Sequence, residues 1–186
     1  MNLPNKLTVL RLIMIPVFVA VYFITAIPYN YVISAVVFAL AAFTDFLDGH
    51  IARKYNLVTD LGKFLDPIAD KVLVCTAVIV MLVNPIIFPW YASIGVAIII
   101  ARELIVSGFR MVAASKNKVI AADWSGKVKT FVQDIAIVVL LVSAQFINAS
   151  IIHIIGTVAF WVAVLLTVIS GTECIVKNIS VLKADK

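Results

Sequence analysis

Residues 151–171 read IIHIIGTVAFWVAVLLTVISG, 21 positions without an Asp, Glu, Lys or Arg. A helix that crosses the hydrocarbon core of a bilayer needs about 20 predominantly apolar residues at about 1.5 Å of rise each, and this run meets that length. Working back towards the N-terminus, five further stretches approach it: Leu10–Ile27, Tyr31–Asp48, Asp70–Phe88, Tyr91–Val112 and Thr130–Ile147, with Ile151–Gly171 the sixth. Composition agrees. Of the 186 residues 63% are hydrophobic and 13% charged, whereas soluble domains average roughly 45–50% and about 25%. An ordinary soluble domain is excluded. The pattern predicts an all-α integral membrane bundle of six transmembrane helices, a single domain over residues 1–186. Residues 2–10, ahead of the first span, are predicted to form a short interfacial helix. The length of that span, its Pro16 and its direct continuation into a second span argue against a cleaved leader.

Charge gives the orientation. The connections Pro28–Asn30, Asn84–Trp90 and Asn148–Ser150 carry no Lys or Arg. All fifteen basic residues lie towards the other side: the N-terminus, the 49–71 connection, the lower part of span four, the 113–129 connection and the C-terminal tail. That asymmetry predicts a multi-pass cell-membrane protein with both termini and the two long loops in the cytoplasm. The net charge of +5 therefore reports loop orientation and attraction to anionic lipid, with no nucleic-acid partner expected. Cys75 and Cys174 have no metal or redox spacing. Trp90, Tyr91, Tyr29 and Tyr31 suit the outer aromatic belt.

The informative residues are acids beside apolar spans. Asp45 and Asp48 are spaced i, i+3 at the basic end of span two, and Asp66 and Asp70 i, i+4 at the start of span three. On a helix each pair shares one face within a turn. Four unpartnered carboxylates next to apolar surface repel one another and are costly to desolvate. Divalent cations remove that difficulty, because carboxylate oxygens are good ligands for Mg²⁺ or Mn²⁺. Four acids suffice for two ions, an arrangement suited to phosphoryl chemistry. The competing reading is that the acids cap helices or pair with Arg53, Lys54, Lys63 and Lys71; Asp66-Pro67 in particular fits an N-cap before a first-turn proline. Gly49, Ala52 and Gly62 leave room for a close approach by a ligand or another helix. Arg53 adds a planar donor fork suited to phosphate.

The stretch Asp45-Phe-Leu-Asp48-Gly49-His-Ile-Ala52-Arg53, then eight residues, then Gly62-Lys-Phe-Leu-Asp66-Pro-Ile-Ala-Asp70, resembles the signature of the CDP-alcohol phosphotransferases at eight positions over 26 residues. Three further stretches resemble the bacterial branch of that family that uses glycerol 3-phosphate. They are Asn2-Leu-Pro-Asn5-Lys-Leu-Thr8-Val-Leu-Arg11, Ala101-Arg102-Glu103-Leu-Ile-Val-Ser-Gly-Phe-Arg110, and Gly126-Lys127-Val-Lys129-Thr130. The resemblance implies a homodimer with a polar cavity open to the cytoplasm. It also implies CDP-diacylglycerol as donor, CMP as leaving group, and two ions, Mg²⁺ or Mn²⁺, per subunit. By that pattern Asp45, Asp48, Asp66 and Asp70 are the metal ligands and Asp70 is also the general base. Asp48, Gly49, Ala52, Arg53 and Gly62 bind the CDP moiety, with Asn5 and Thr8 at the same end.

The acceptor leaves more open. Glycerol 3-phosphate is a small dianion, and Arg110, Lys127 and Lys129 lie at a suitable depth to bind it, although orientation bias alone also puts basic residues there. Arg102 and Glu103 lie deeper and are expected to face the bundle interior, either cross-linking helices or touching substrate. Gln133 and Asp134 are expected to bond between helices or to meet the acceptor. Serine, an inositol phosphate or phosphatidylglycerol remain alternative acceptors. A cation transporter would also explain buried acids, but gives no reason for Gly49, Ala52, Arg53 and Gly62 at their spacings.

Overall fold

A computed structural model describes residues 3–54, 60–115, 120, 124–146 and 150–179, with side chains for 5–45, 66, 68–114, 120, 124–146 and 150–179. Among them the chain is all-helical: α1 Leu3–Phe23, α2 Asn30–Lys54, α3 Asp60–Met81, α4 Ala92–Ser115, α5 Trp124–Gln145 and α6 Ser150–Lys177. Four of these contain segments long and apolar enough to cross a membrane: Asn5–Phe23, Ala92–Ala114, Trp124–Gln145 and Ser150–Lys177. The described part of α2 adds an apolar stretch over Asn30–Asp45, and α3 carries Asp60, Lys63, Asp66, Asp70 and Lys71 within its first twelve residues.

Each helix runs past its apolar stretch at the basic end. α2 continues beyond Asp48 to Lys54, α3 starts at Asp60 rather than Asp70, α5 at Trp124 rather than Thr130, and α6 continues beyond Gly171 to Lys177. Backbone hydrogen bonding carries a helix wherever propensity allows, whereas hydropathy marks only the part that meets lipid. The same cause removes the separate interfacial helix: nothing between Pro4, tolerated in the first turn, and Pro16 interrupts the ladder, so residues 3–23 form one helix. It also removes the capping role expected for Asp66, which lies inside α3. At the opposite end α3 stops at Met81, short of the expected Phe88. There Asn84, disfavoured from helix by Pro85, accepts the Ile86 amide at 3.0 Å and donates to the Tyr31 hydroxyl at 3.0 Å. Tyr31 is thus tied into the bundle, while Trp90, Tyr91 and Tyr29 expose their rings.

α1 packs along α2 and α3, α2 along α5, α5 along α6, and α4 against α6, with a lighter contact from α3 to α4. One face of α1 shows how the ring is built. Asn5, Thr8, Arg11, Ile15, Phe18 and Tyr22 are all buried, spaced three or four apart, polar at the basic end and aromatic at the other. Elsewhere small polar groups join a core of large apolar ones such as Phe38, Ile99, Leu140 and Phe160, while further large apolar groups face outwards: Ser34, Ser143, Thr167 and Ser170 are buried, whereas Ile94, Leu104, Ile154, Leu165 and Ile169 are exposed. Apolar groups on both faces are what lipid permits, provided the inner hydroxyls are bonded. They are: Ser34 donates to the Asn30 carbonyl at 2.8 Å and Thr167 to that of Ala163 at 2.6 Å.

α4 approaches α6 through Gly95, where an added Cβ would lie 2.9 Å from the Phe160 ring and 3.0 Å from Val164. Gly95→Val is expected to cost about 1–3 kcal/mol through overpacking, read as a lower melting temperature in detergent. Gly108→Ala, where a Cβ meets nothing within 4 Å among the described residues, should leave the melting temperature unchanged or raise it.

Candidate active site

At the basic end α2, α3, α4 and α5 diverge around a cavity of about 870 Å³. Its polar wall comprises Asp45 from α2, Asp70 and Lys71 from α3, Arg102, Glu103 and Arg110 from α4, and Lys127, Thr130 and Asp134 from α5. An apolar flank, Phe38, Ala42 and Phe43 on α2 facing Phe131, Ile135 and Val138 on α5, continues the cavity along the bundle.

The α1 face anchors two of the acids. Arg11, fully buried, holds Asp45 with Nη1 2.7 Å from Oδ1. One turn earlier Thr8, also fully buried, donates its hydroxyl to Asp66 Oδ1 at 2.6 Å. Asp45 thus has a cation partner and Asp66 a hydroxyl, from one helix packed against both α2 and α3. In sequence Arg11 stands out only as a basic residue and as part of the N-terminal resemblance; its spacing of three from Thr8, and of three more to Asn5, is the signal of this role. Asp48, Gly49, Ala52 and Arg53 lie in the last turns of α2 and Gly62 in the first turn of α3; their side chains lie outside the described residues.

The fit to a metal rests on the donor set. Each contact from α1 engages Oδ1, and an ionised carboxylate offers about four lone-pair sites, so acceptor capacity is left on Asp45 and Asp66. Asp70 joins Asp45 on the cavity wall. An all-carboxylate set from two neighbouring helices suits a hard divalent cation. Among the described residues no three such side chains already converge on one ion position.

The expected acceptor cations divide. Arg110 and Lys127 line the cavity. Lys129 is 2% exposed, pairs with Glu103 Oε1 at 2.5 Å, and lies on a small polar pocket beside the main cavity with Asp70, Thr130 and Gln133. Glu103 also takes Arg102 Nη1 at 3.1 Å, while Arg102 Nη2 donates to Ser170 Oγ at 2.8 Å. The Arg102 stem lies over Gly171, where a Cβ would sit 2.9 Å from its Cγ. The deep pair therefore faces the interior, as expected, and cross-links α4, α5 and α6. Asp134 shares the cavity, and its Oδ1 is buried without a hydrogen-bond partner among the described residues.

A sequence model of the CDP-alcohol phosphatidyltransferase family matches residues 1–169. The chain belongs to this family. Relatives within it extend the likeness across the molecule. A Bacillus subtilis (strain 168) protein is 40% identical over 196 aligned positions, covering 99% of this chain and 98% of its own length. A Rickettsia bellii protein is 40% identical, covering 91% of each chain. One from Salmonella typhimurium is 42% identical, covering 75% of this chain and 76% of its own. All three are named CDP-diacylglycerol–glycerol-3-phosphate 3-phosphatidyltransferase.

In this family member Glu103 stands between two cations, so the members of the cluster are not equivalent. Glu103→Gln removes the carboxylate paired with both Lys129 and Arg102 and is expected to destabilise by about 3–5 kcal/mol. Lys129→Met leaves Glu103 still paired with Arg102 and should cost clearly less. Thermal unfolding of both variants in one detergent checks the order.

Proposed function

We propose that this protein is a membrane phosphatidyltransferase that moves the phosphatidyl group from CDP-diacylglycerol to sn-glycerol 3-phosphate, giving phosphatidylglycerophosphate and CMP. The observation that carries the reading is the cavity itself, which brings carboxylates for phosphoryl chemistry, cations for a phosphate and an apolar flank for lipid together around one space. The named activity of the full-length relatives supports it. In this reading the chain is one domain of six membrane-spanning helices, with both termini and the cavity on the cytoplasmic side. The basic residues gathered at one end support that orientation. The functional unit is a homodimer, as the resemblance implies.

The donor lies with its acyl chains along the α2–α5 flank and its head group at the α2–α3 motif. There Asp48, Gly49, Ala52, Arg53 and Gly62 hold the CDP moiety, with Asn5 and Thr8 beside them. Arg110 and Lys127 bind the acceptor's phosphate, and Lys129, held by Glu103, adds positive potential behind them. Asp70 is the catalytic residue: it removes the proton from the sn-1 hydroxyl as that oxygen attacks the phosphorus bearing the diacylglycerol. The new P–O bond forms as the bond to CMP breaks, and CMP departs with the bridging oxygen. Asp45, Asp48, Asp66 and Asp70 would hold two Mg²⁺ or Mn²⁺ ions, which supply charge stabilisation on the pyrophosphate and the departing CMP. Arg11 and Thr8 fix Asp45 and Asp66 beforehand, so little reorganisation attends binding.

The test is CMP release by detergent-purified protein given CDP-diacylglycerol, Mg²⁺ and one acceptor at a time. Release is expected with glycerol 3-phosphate and not with serine, inositol phosphate or phosphatidylglycerol. EDTA should abolish it and added Mg²⁺ or Mn²⁺ restore it. Asp70→Asn should lower the rate by about 10²–10⁴-fold, the usual worth of a positioned general base. Release with another acceptor alone would replace the substrate, and folded protein that binds the donor but never releases CMP would remove the reaction.

A further inference from the structure

We propose that Asp134 binds the acceptor hydroxyl that does not react, the sn-2 hydroxyl of glycerol 3-phosphate, and so sets the choice of acceptor; this rests on the reaction proposed above. Asp134 lies on the cavity-lining stripe of α5, seven residues beyond Lys127 and four beyond Thr130. Seven residues are about 10 Å along the axis, two turns deeper than the rim cation. A phosphate held by Lys127 and Arg110 therefore directs the glycerol carbons inwards, towards Asp134 and Asp70.

The Asp134 carboxylate has a buried oxygen, Oδ1, with no hydrogen-bond partner among the described residues. Buried acceptors are almost always satisfied, and a carboxylate on a cavity wall that keeps one unmet has acceptor capacity that rotation about its soft Cβ–Cγ torsion turns towards a ligand's donor. A phosphate dianion is repelled by a carboxylate, and acyl chains carry no donor. The sn-1 hydroxyl is committed to Asp70. The residues proposed to hold the CDP moiety lie on α1, α2 and α3, whereas Asp134 shares α5 with Lys127. The donor that remains is the second hydroxyl of the acceptor, and no residue in the proposed mechanism otherwise reads it.

The assignment is tested by CMP release with two acceptors, glycerol 3-phosphate and 3-hydroxypropyl phosphate, which has the same chain without the second hydroxyl. Each is measured for the wild type and for Asp134→Ala and Asp134→Leu, neither of which retains a side-chain acceptor. The wild type is expected to favour glycerol 3-phosphate by about 10- to 100-fold in kcat/KM, the worth of one hydrogen bond to a charged group. In the variants that ratio should collapse towards one. Because both acceptors are measured on one preparation, loss of folded protein cancels from the ratio. A wild type without preference, or variants that lose both activities equally and keep the ratio, overturns the assignment of Asp134 while leaving the reaction standing. A wild type that releases no CMP with either acceptor overturns the reaction itself, and this assignment with it.

Discussion

Glu103 lies between Lys129 at 2.5 Å and Arg102 at 3.1 Å, and Arg102 reaches on to Ser170. One carboxylate thereby binds α4, on which it sits, to α5, and through Arg102 to α6. The arrangement answers a constraint that governs the whole basic end: ionised groups among apolar helices need counter-charges, because the cost of leaving one alone in low dielectric is several kcal/mol. α5 cannot leave α4 without stranding Lys129, and α6 cannot leave without breaking the Arg102–Ser170 hydrogen bond. Packing follows from that, since Gly171 lets the Arg102 stem lie flat against α6.

The same constraint acts on the other side of the cavity with a different outcome. There α1 supplies one cation and one hydroxyl to acids of α2 and α3, through Arg11 and Thr8. Around Glu103 one carboxylate meets two cations, whereas among the described residues of the α2–α3 motif Asp45, Asp66 and Asp70 stand with Arg11 and Lys71. Around Glu103 every charge has a partner from the protein itself, whereas Asp45 and Asp66 keep acceptor capacity beyond their contacts with α1.

Much of this organisation was legible in the residues. Uninterrupted apolar runs gave the number and order of the helices, and the absence of Lys and Arg from three connections gave the common end at which the charges gather. Spacing placed Asp45 and Asp70 on facing helices, and both line the cavity. The ends of the helices were not legible, because hydropathy records contact with lipid and the helices outlast it. Hence the continuous α1, the early start of α3 and the interior position of Asp66. Nor was the fate of Lys129: Lys127 and Lys129 look alike in sequence, and two residues turn a helix by about 200°, so one faces the cavity and the other meets Glu103 on a different helix. A partner 26 residues away leaves no local trace.

The helical extensions at the basic end explain how a bilayer protein can host polar chemistry. A loop could carry the same acids, but its backbone groups would need partners of their own where water is scarce. Extending α2 and α3 past their apolar stretches keeps the backbone satisfied and spends only side chains on the site. It also holds the site in register with the apolar flank, because Ala42 and Asp45 on α2, and Asp134 and Val138 on α5, lie a turn apart on the same cavity wall. The two linings together suit a substrate with acyl chains and a charged head, and the boundary between them is set by the turn at which each helix changes from apolar to polar lining.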